Sequence, residues 1–118
     1  MSRANVMIVD DDQDLVESLA ELLEMSGCDV TTAANGKEAV LSHGKQDFDV
    51  TFMDVRMPIM NGVDSFFEIR KLKPEAKIVM MTGFKEAIVT RALEAGAAGL
   101  LTKPFEIAAM LAIVGRAA

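Results

Sequence analysis

Residues 5–27 read "NVMIVDDDQDLVESLAELLEMSG". A short, largely apolar run over 5–9 stops against three consecutive aspartates and gives way to a helical pattern. The run lacks the polar alternation of a half-exposed strand, which predicts a strand buried on both faces of a parallel sheet. Leu15, Leu19, Leu22 and Leu23 then recur on one helical face, with Glu17, Glu21 and Glu24 on the others. Asp12 is placed to cap this helix and Gly27 to end it.

Outward from this unit the same alternation repeats. Apolar runs rich in Val, Ile, Met and Phe occupy 29–33, 48–53, 77–82 and 99–102, and helical patterns occupy 36–43, 63–72, 85–95 and 106–116. Pro74 and Gly96 act as stops. Five strands alternating with five helices imply an α/β fold whose parallel sheet is covered on both faces through right-handed crossovers. A chain of 118 residues is expected to form one domain over 1–118, with a single well-formed core.

Composition narrows the function classes. An apolar share of 51% with 25% charged residues is that of a folded globular chain. No uncharged stretch approaches the roughly 20 apolar residues of a membrane-spanning helix. The N-terminus lacks the pattern of a signal peptide, so a cytoplasmic location and no membrane partner are expected. The single Cys28 excludes an internal disulfide and a cysteine metal site, and reads as a small core residue. A net charge of −6 argues against direct nucleic-acid binding by this domain.

In open parallel sheets, ligands gather outside the carboxyl ends of the strands. Asp10 and Asp11 follow the first strand, Asp54 the third, Thr82 closes the fourth and Lys103 follows the fifth. Crowded carboxylates repel unless something positive compensates them. Mg²⁺ prefers oxygen ligands and takes one or two carboxylates together with phosphate oxygens. A carboxylate can also attack phosphorus to give an aspartyl phosphate. An ammonium (Lys103) and a hydroxyl (Thr82) would then stabilise the charge spread over the transferring group. Singly, each of these residues is common in α/β loops; their order and spacing carry the signal.

The pieces "VDD" (9–11), "MDVRMPIMNG" (53–62), "MTG" (81–83) and "GLLTKPF" (99–105) resemble the response-regulator receiver domain of two-component signal transduction. The resemblance covers the whole chain. It implies a flavodoxin-like (βα)5 three-layer sandwich with strand order 2-1-3-4-5. It implies that Asp54 is the phosphoacceptor and that Asp10, Asp11 and Asp54 hold Mg²⁺ together with the backbone carbonyl of Arg56. Thr82 and Lys103 would contact the phosphoryl group, and the peptide bond before Pro104 would be cis. The implied partner is a sensor histidine kinase or a histidine phosphotransfer protein. Such a receiver catalyses only its own phosphorylation and dephosphorylation, and is not otherwise an enzyme.

Several positions depart from, or tune, that pattern. Arg56 and Phe84 stand at the two tuning positions, where a long cation and a bulky ring hinder an attacking water. Slow autodephosphorylation is expected. Leu100 stands where receivers usually carry the Tyr or Phe of the switch, so the lever it forms with Thr82 is altered. Activation is therefore expected to rely on the fourth helix and its leading loop. The tail "FEIAAMLAIVGRAA" bears only Glu106 and Arg116 as charges. It predicts either tight packing or a homodimer or effector-domain contact through helices 4 and 5. His43 reads as an exposed structural residue, not a phosphoryl donor.

Two rival readings use the same residues. "VDDDQD" matches the D-x-D spacing of haloacid-dehalogenase-type phosphatases through Asp10 and Asp12. Those enzymes place Thr or Val where Asp14 stands, and this chain lacks their later acidic pair. A degenerate receiver acting only as a binding module is the other rival, opposed by the presence of all five site residues.

Overall fold

The computed structural model describes residues 3–83 and 87–117. In chain order the elements are β1 (Asn5–Val9), α1 (Gln13–Met25), β2 (Asp29–Ala33), α2 (Gly36–Lys45) and β3 (Val50–Asp54). They continue with α3 (Gly62–Leu72), β4 (Ile78–Thr82), α4 (Ala87–Glu94), β5 (Gly99–Thr102) and α5 (Ile107–Ala117). All strand pairings are parallel, in the order β2-β1-β3-β4-β5, which is the flavodoxin-like arrangement.

Alternate strand residues point to opposite faces, so the central strands feed two cores. Val6, Ile8, Phe52, Val79 and Met81 pack under α1 and α5 against Val16, Leu23, Met110 and Val114. Met7, Val9, Met53 and Met80 pack on the other face against Ala39, Phe66, Ile69, Val89 and Ala92 of α2, α3 and α4. β1 beyond Asn5, β3 and β4 are therefore buried on both sides. The edge strand β2 is half-exposed, which is why its sequence DVTTA tolerates two threonines.

The starts of α1, α2 and α3 follow one recipe. Asp12, Asn35 and Asn61 each accept a hydrogen bond from the N–H three residues on, from Leu15 (3.2 Å), Glu38 (2.9 Å) and Asp64 (2.9 Å). Past the end of α1, Gly27 takes φ +95°, a conformation that costs glycine nothing.

Three expectations need correction. The buried stripe of α1 is Val16, Leu19, Ala20 and Leu23; Leu22 is exposed, because the stripe follows a 3-4 spacing that Val16 completes. His43 is buried, since it sits on the face of α2 that meets β3. α5 buries Met110 and Val114 while Ala108, Ala109, Ala112 and Gly115 face outward, which contradicts neither reading of the tail. The expected third strand starts later, at Val50, because Asp49 is held by the start of β1 through Asn5. The expected start of the fourth helix, 85–86, lies outside the described residues.

Candidate functional site

Sheet register assembles the site. Val9 pairs with Met53 and Asp54 pairs with Met81, so Asp10 and Asp54 emerge side by side at the carboxyl edge. Thr82 pairs with Thr102, and the Lys103 N–H donates to the Thr82 carbonyl at 2.7 Å, which brings Lys103 to the same edge.

Asp10 is 1% exposed and Asp54 7%, whereas Asp11 stands in solvent. Lys103 Nζ donates to Asp10 Oδ2 at 2.6 Å and to Asp54 Oδ1 at 3.1 Å. The Asp12 N–H donates to Asp10 Oδ1 at 3.0 Å, fixing that carboxylate from the other side. Carboxylate oxygens from Asp10, Asp11 and Asp54 lie within 4.8 Å of one another. At an effective dielectric of about 20, each such pair repels by roughly 3 kcal/mol.

Charge counting defines what fits. Lys103 bonds the Asp10 and Asp54 carboxylates, and Asp11 adds a third carboxylate to the cluster, so its acids outnumber the ammonium they surround. The all-oxygen donor set and that surplus suit a hard dication such as Mg²⁺. Without one, burial pushes Asp54 up from its ordinary 3.8 to about 6, with the charges of Asp10 and Asp11 adding and Lys103 opposing. Burial depresses the Lys103 ammonium, but its bonds and attraction to Asp10 and Asp54 outweigh this and raise its pKa above the ordinary value.

The other sequence-selected positions fall as follows. Thr82 is buried at the end of β4, beside Met81 and level with Thr102. Arg56 is exposed in the loop after Asp54, and the Lys103–Pro104 peptide bond is cis. Leu100 is half-buried opposite Met80 and packs into the core that includes Val89 and Ala92 of α4. Phe84 lies outside the described residues. Asp12 caps α1 and stands in solvent.

One residue at the site went unread in the sequence. A Cβ on Gly62 would sit 2.0 Å from the Asp54 carbonyl oxygen, so α3 begins directly against the Asp54 backbone. In the sequence it is only the last residue of the stretch 53–62, with nothing to show this close approach.

Comparison with known proteins gives one answer. The family profile described as the response regulator receiver domain matches residues 6–115. The chain is 38% identical over 103 residues to a chemotaxis protein CheY of Thermotoga maritima, covering 86% of each. It is 44% identical over 101 residues to the transcriptional regulatory protein LnrK of Bacillus subtilis. That match takes in 82% of this chain but only 46% of LnrK, so the chain spans about half of that relative. A CheY-like receiver domain protein from Methanospirillum hungatei superposes with a TM-score of 0.92 at 28% identity, covering 98% of this chain and 93% of that one. A CheX–CheY–BeF3–Mg complex from Borrelia burgdorferi gives 0.87 at 31% identity, covering 96% of this chain and 87% of its match.

Proposed function

The chain belongs to the response regulator receiver family, and from that premise we propose that it is a phosphorylation-dependent switch with Asp54 as phosphoacceptor. The donor is a phosphohistidine on a partner kinase or phosphotransfer protein. The observation that carries this reading is the Lys103 ammonium shared between the Asp10 and Asp54 carboxylates, with Asp11 close enough to complete a metal set.

In the transfer, an Asp54 carboxylate oxygen attacks phosphorus in line. A P–O bond forms, the P–N bond breaks, and its electron pair returns to the imidazole. Lys103 then stands beside the developing negative oxygens, and the Thr82 hydroxyl offers a donor from β4. Asp10, Asp11, Asp54 and the Arg56 carbonyl would hold Mg²⁺, which supplies charge neutralisation of the phosphoryl oxygens. Water later cleaves the acyl phosphate, so the chain is its own substrate. The Borrelia relative, found with BeF3 and magnesium, supports this assignment by likeness.

The signal leaves through α4, β5 and α5. Leu100 lies between β4 and α4 with no ring to turn inward, so α4 carries the change, and the exposed alanines of α5 offer a contact for a second copy or an effector domain. A Leu100→Ala variant that is phosphorylated on Asp54 yet shows no spectral shift in α4 would overturn the reliance on α4. The receiver reading extends to residues 1–118 as one cytoplasmic domain; no helix among the described residues is long and apolar enough to cross a membrane.

Intact mass after incubation with acetyl phosphate and Mg²⁺ tests the assignment. The wild type gains one phosphoryl group and Asp54→Asn gains none. Loss of labelling in Asp10→Asn with labelling kept in Asp54→Asn would indicate the phosphatase-type chemistry, which the capping duty of Asp12 disfavours.

A further inference from the structure

Gly36 opens α2 and is buried. A Cβ on it would lie 1.8 Å from Ser65 Oγ and 2.5 Å from the Met60 carbonyl oxygen. The hydroxyl can swing aside, but the carbonyl is main chain and moves only with its loop. Met60 belongs to the segment 55–61 that joins Asp54 to α3. The Gly62 N–H pins the other side of this segment by donating to the Val55 carbonyl at 2.8 Å. Ser65 Oγ donates to the Asn61 carbonyl at 2.9 Å, so the residue that meets Gly36 also holds the loop's exit.

Within the loop, Ile59 takes φ +73°. A β-branched residue there costs about 1–3 kcal/mol and persists only where its surroundings over-determine it. The Ile59 side chain is exposed, so this turn is held by the loop's own main chain, with the Met60 N–H donating to the Pro58 carbonyl at 2.8 Å. Arg56, whose carbonyl is the proposed main-chain metal ligand, lies in the same segment.

We infer that Gly36 is a positioning residue for the Asp54 site: its missing side chain lets α2 seat the Met60 carbonyl, which fixes the loop bearing the Arg56 carbonyl and so sets Mg²⁺ affinity. The inference rests on the reading of the Asp54 cluster as a magnesium and phosphoacceptor site. A role in packing alone would show in stability and leave the affinity of the folded protein unchanged.

Titration of Mg²⁺ by calorimetry, on protein well below its melting temperature, separates the two roles. Gly44, on the same helix, has open space where a Cβ would go and provides the control. Gly36→Ala should bind Mg²⁺ roughly 3- to 10-fold more weakly, less than the roughly 10- to 100-fold lost with a direct partner of a metal ligand because Gly36 acts through the loop, while Gly44→Ala binds as the wild type does. If Gly36→Ala does not fold, Ser65→Ala, which deletes the bond to Asn61, should weaken Mg²⁺ binding by about twofold or more. Wild-type affinity in folded Gly36→Ala, or in Ser65→Ala where it is the usable variant, would overturn the inference. A wild type that binds Mg²⁺ but takes no phosphate would overturn the phosphoacceptor reading alone; one that binds no Mg²⁺ would overturn both.

Discussion

Near the amino ends of the strands, His43 Nε2 and Thr51 Oγ1 are hydrogen-bonded at 2.9 Å, and both residues are buried. Three residues along β3 from Thr51, at the carboxyl end, Asp54 shares one ammonium with Asp10 while Asp11 adds a further negative charge. Both ends bury titratable groups under the same sheet. The first pair is neutral and complete: burial drives His43 down to about 4, the charge of Lys73 adds to this, and Asp47 offsets only part of it. The Phe48 ring packs against the imidazole in a T-shaped pair with centroids 5.0 Å apart. The second cluster sets three carboxylates around one ammonium, and burial together with the Asp10 and Asp11 charges holds Asp54 at about 6. A self-satisfied buried pair is architecture. A cluster left incomplete where the fold could have completed it destabilises the free protein and reserves a place for something not yet bound.

The comparison breaks most readily at Lys103. Lys103→Met removes the ammonium from both buried carboxylates, and phosphorylation by acetyl phosphate should slow by about 100-fold or more, as for loss of a charge-stabilising donor. The free protein should lose about 2–4 kcal/mol in urea unfolding, since two buried carboxylates are stranded. Addition of Mg²⁺ should restore part of that loss.

Asp54→Asn should act in the opposite direction on stability. A raised folded pKa means the protonated form is favoured on folding, so its stability is fully present below pH 3.8 and is lost as pH rises through about 6. At pH 7 and without Mg²⁺ the wild type therefore carries a penalty, and the variant should be more stable by about 1–3 kcal/mol. The difference should narrow at pH 5 or in saturating Mg²⁺. A variant less stable than wild type under all these conditions would contradict the charge count.

His43 has the inverse sign. Its folded pKa is depressed, so the unfolded chain takes up the proton first, and stability is lost as pH falls from about 6.5 toward about 4. Measured in Asp54→Asn, where the opposing titration is absent, stability should fall by about 2 kcal/mol from pH 7 to 5. His43→Gln in that background should flatten the profile. An equal slope with and without the imidazole would show that the pair is not buried as a neutral unit.

The carboxyl-end cluster was legible because its chemistry lies in residue types placed directly after strands. Asp10, Asp11, Asp54, Thr82 and Lys103 could be selected from order alone, and register then brought them to one edge. The amino-end pair was not legible. A histidine in an amphipathic helix fits the exposed side as well as the buried one, and only the docking of α2 on β3 chose. Leu22 failed in the same way: leucine was expected inward, but Val16 took the place. Gly36 and Gly62 were silent because the absence of a side chain acquires meaning only when a neighbouring main chain is known to lie within contact of it.

By itself the sequence determined the alternation of strands and helices, the caps at Asp12 and Gly27, and the identity of the acids, hydroxyl and ammonium that crowd one edge. These follow from local periodicity and from the chemistry each residue type carries wherever it stands. Tertiary structure alone decided that Lys103 serves Asp10 and Asp54 together, that His43 closes on Thr51, and that two helix starts bear on the loop after Asp54. Those are relations across 93, 49 and 8 positions of chain, and for the two helix starts across 24 (Gly36 to Met60) and 8 (Gly62 to Asp54). Distance and burial between such groups exist only once the sheet has set its register.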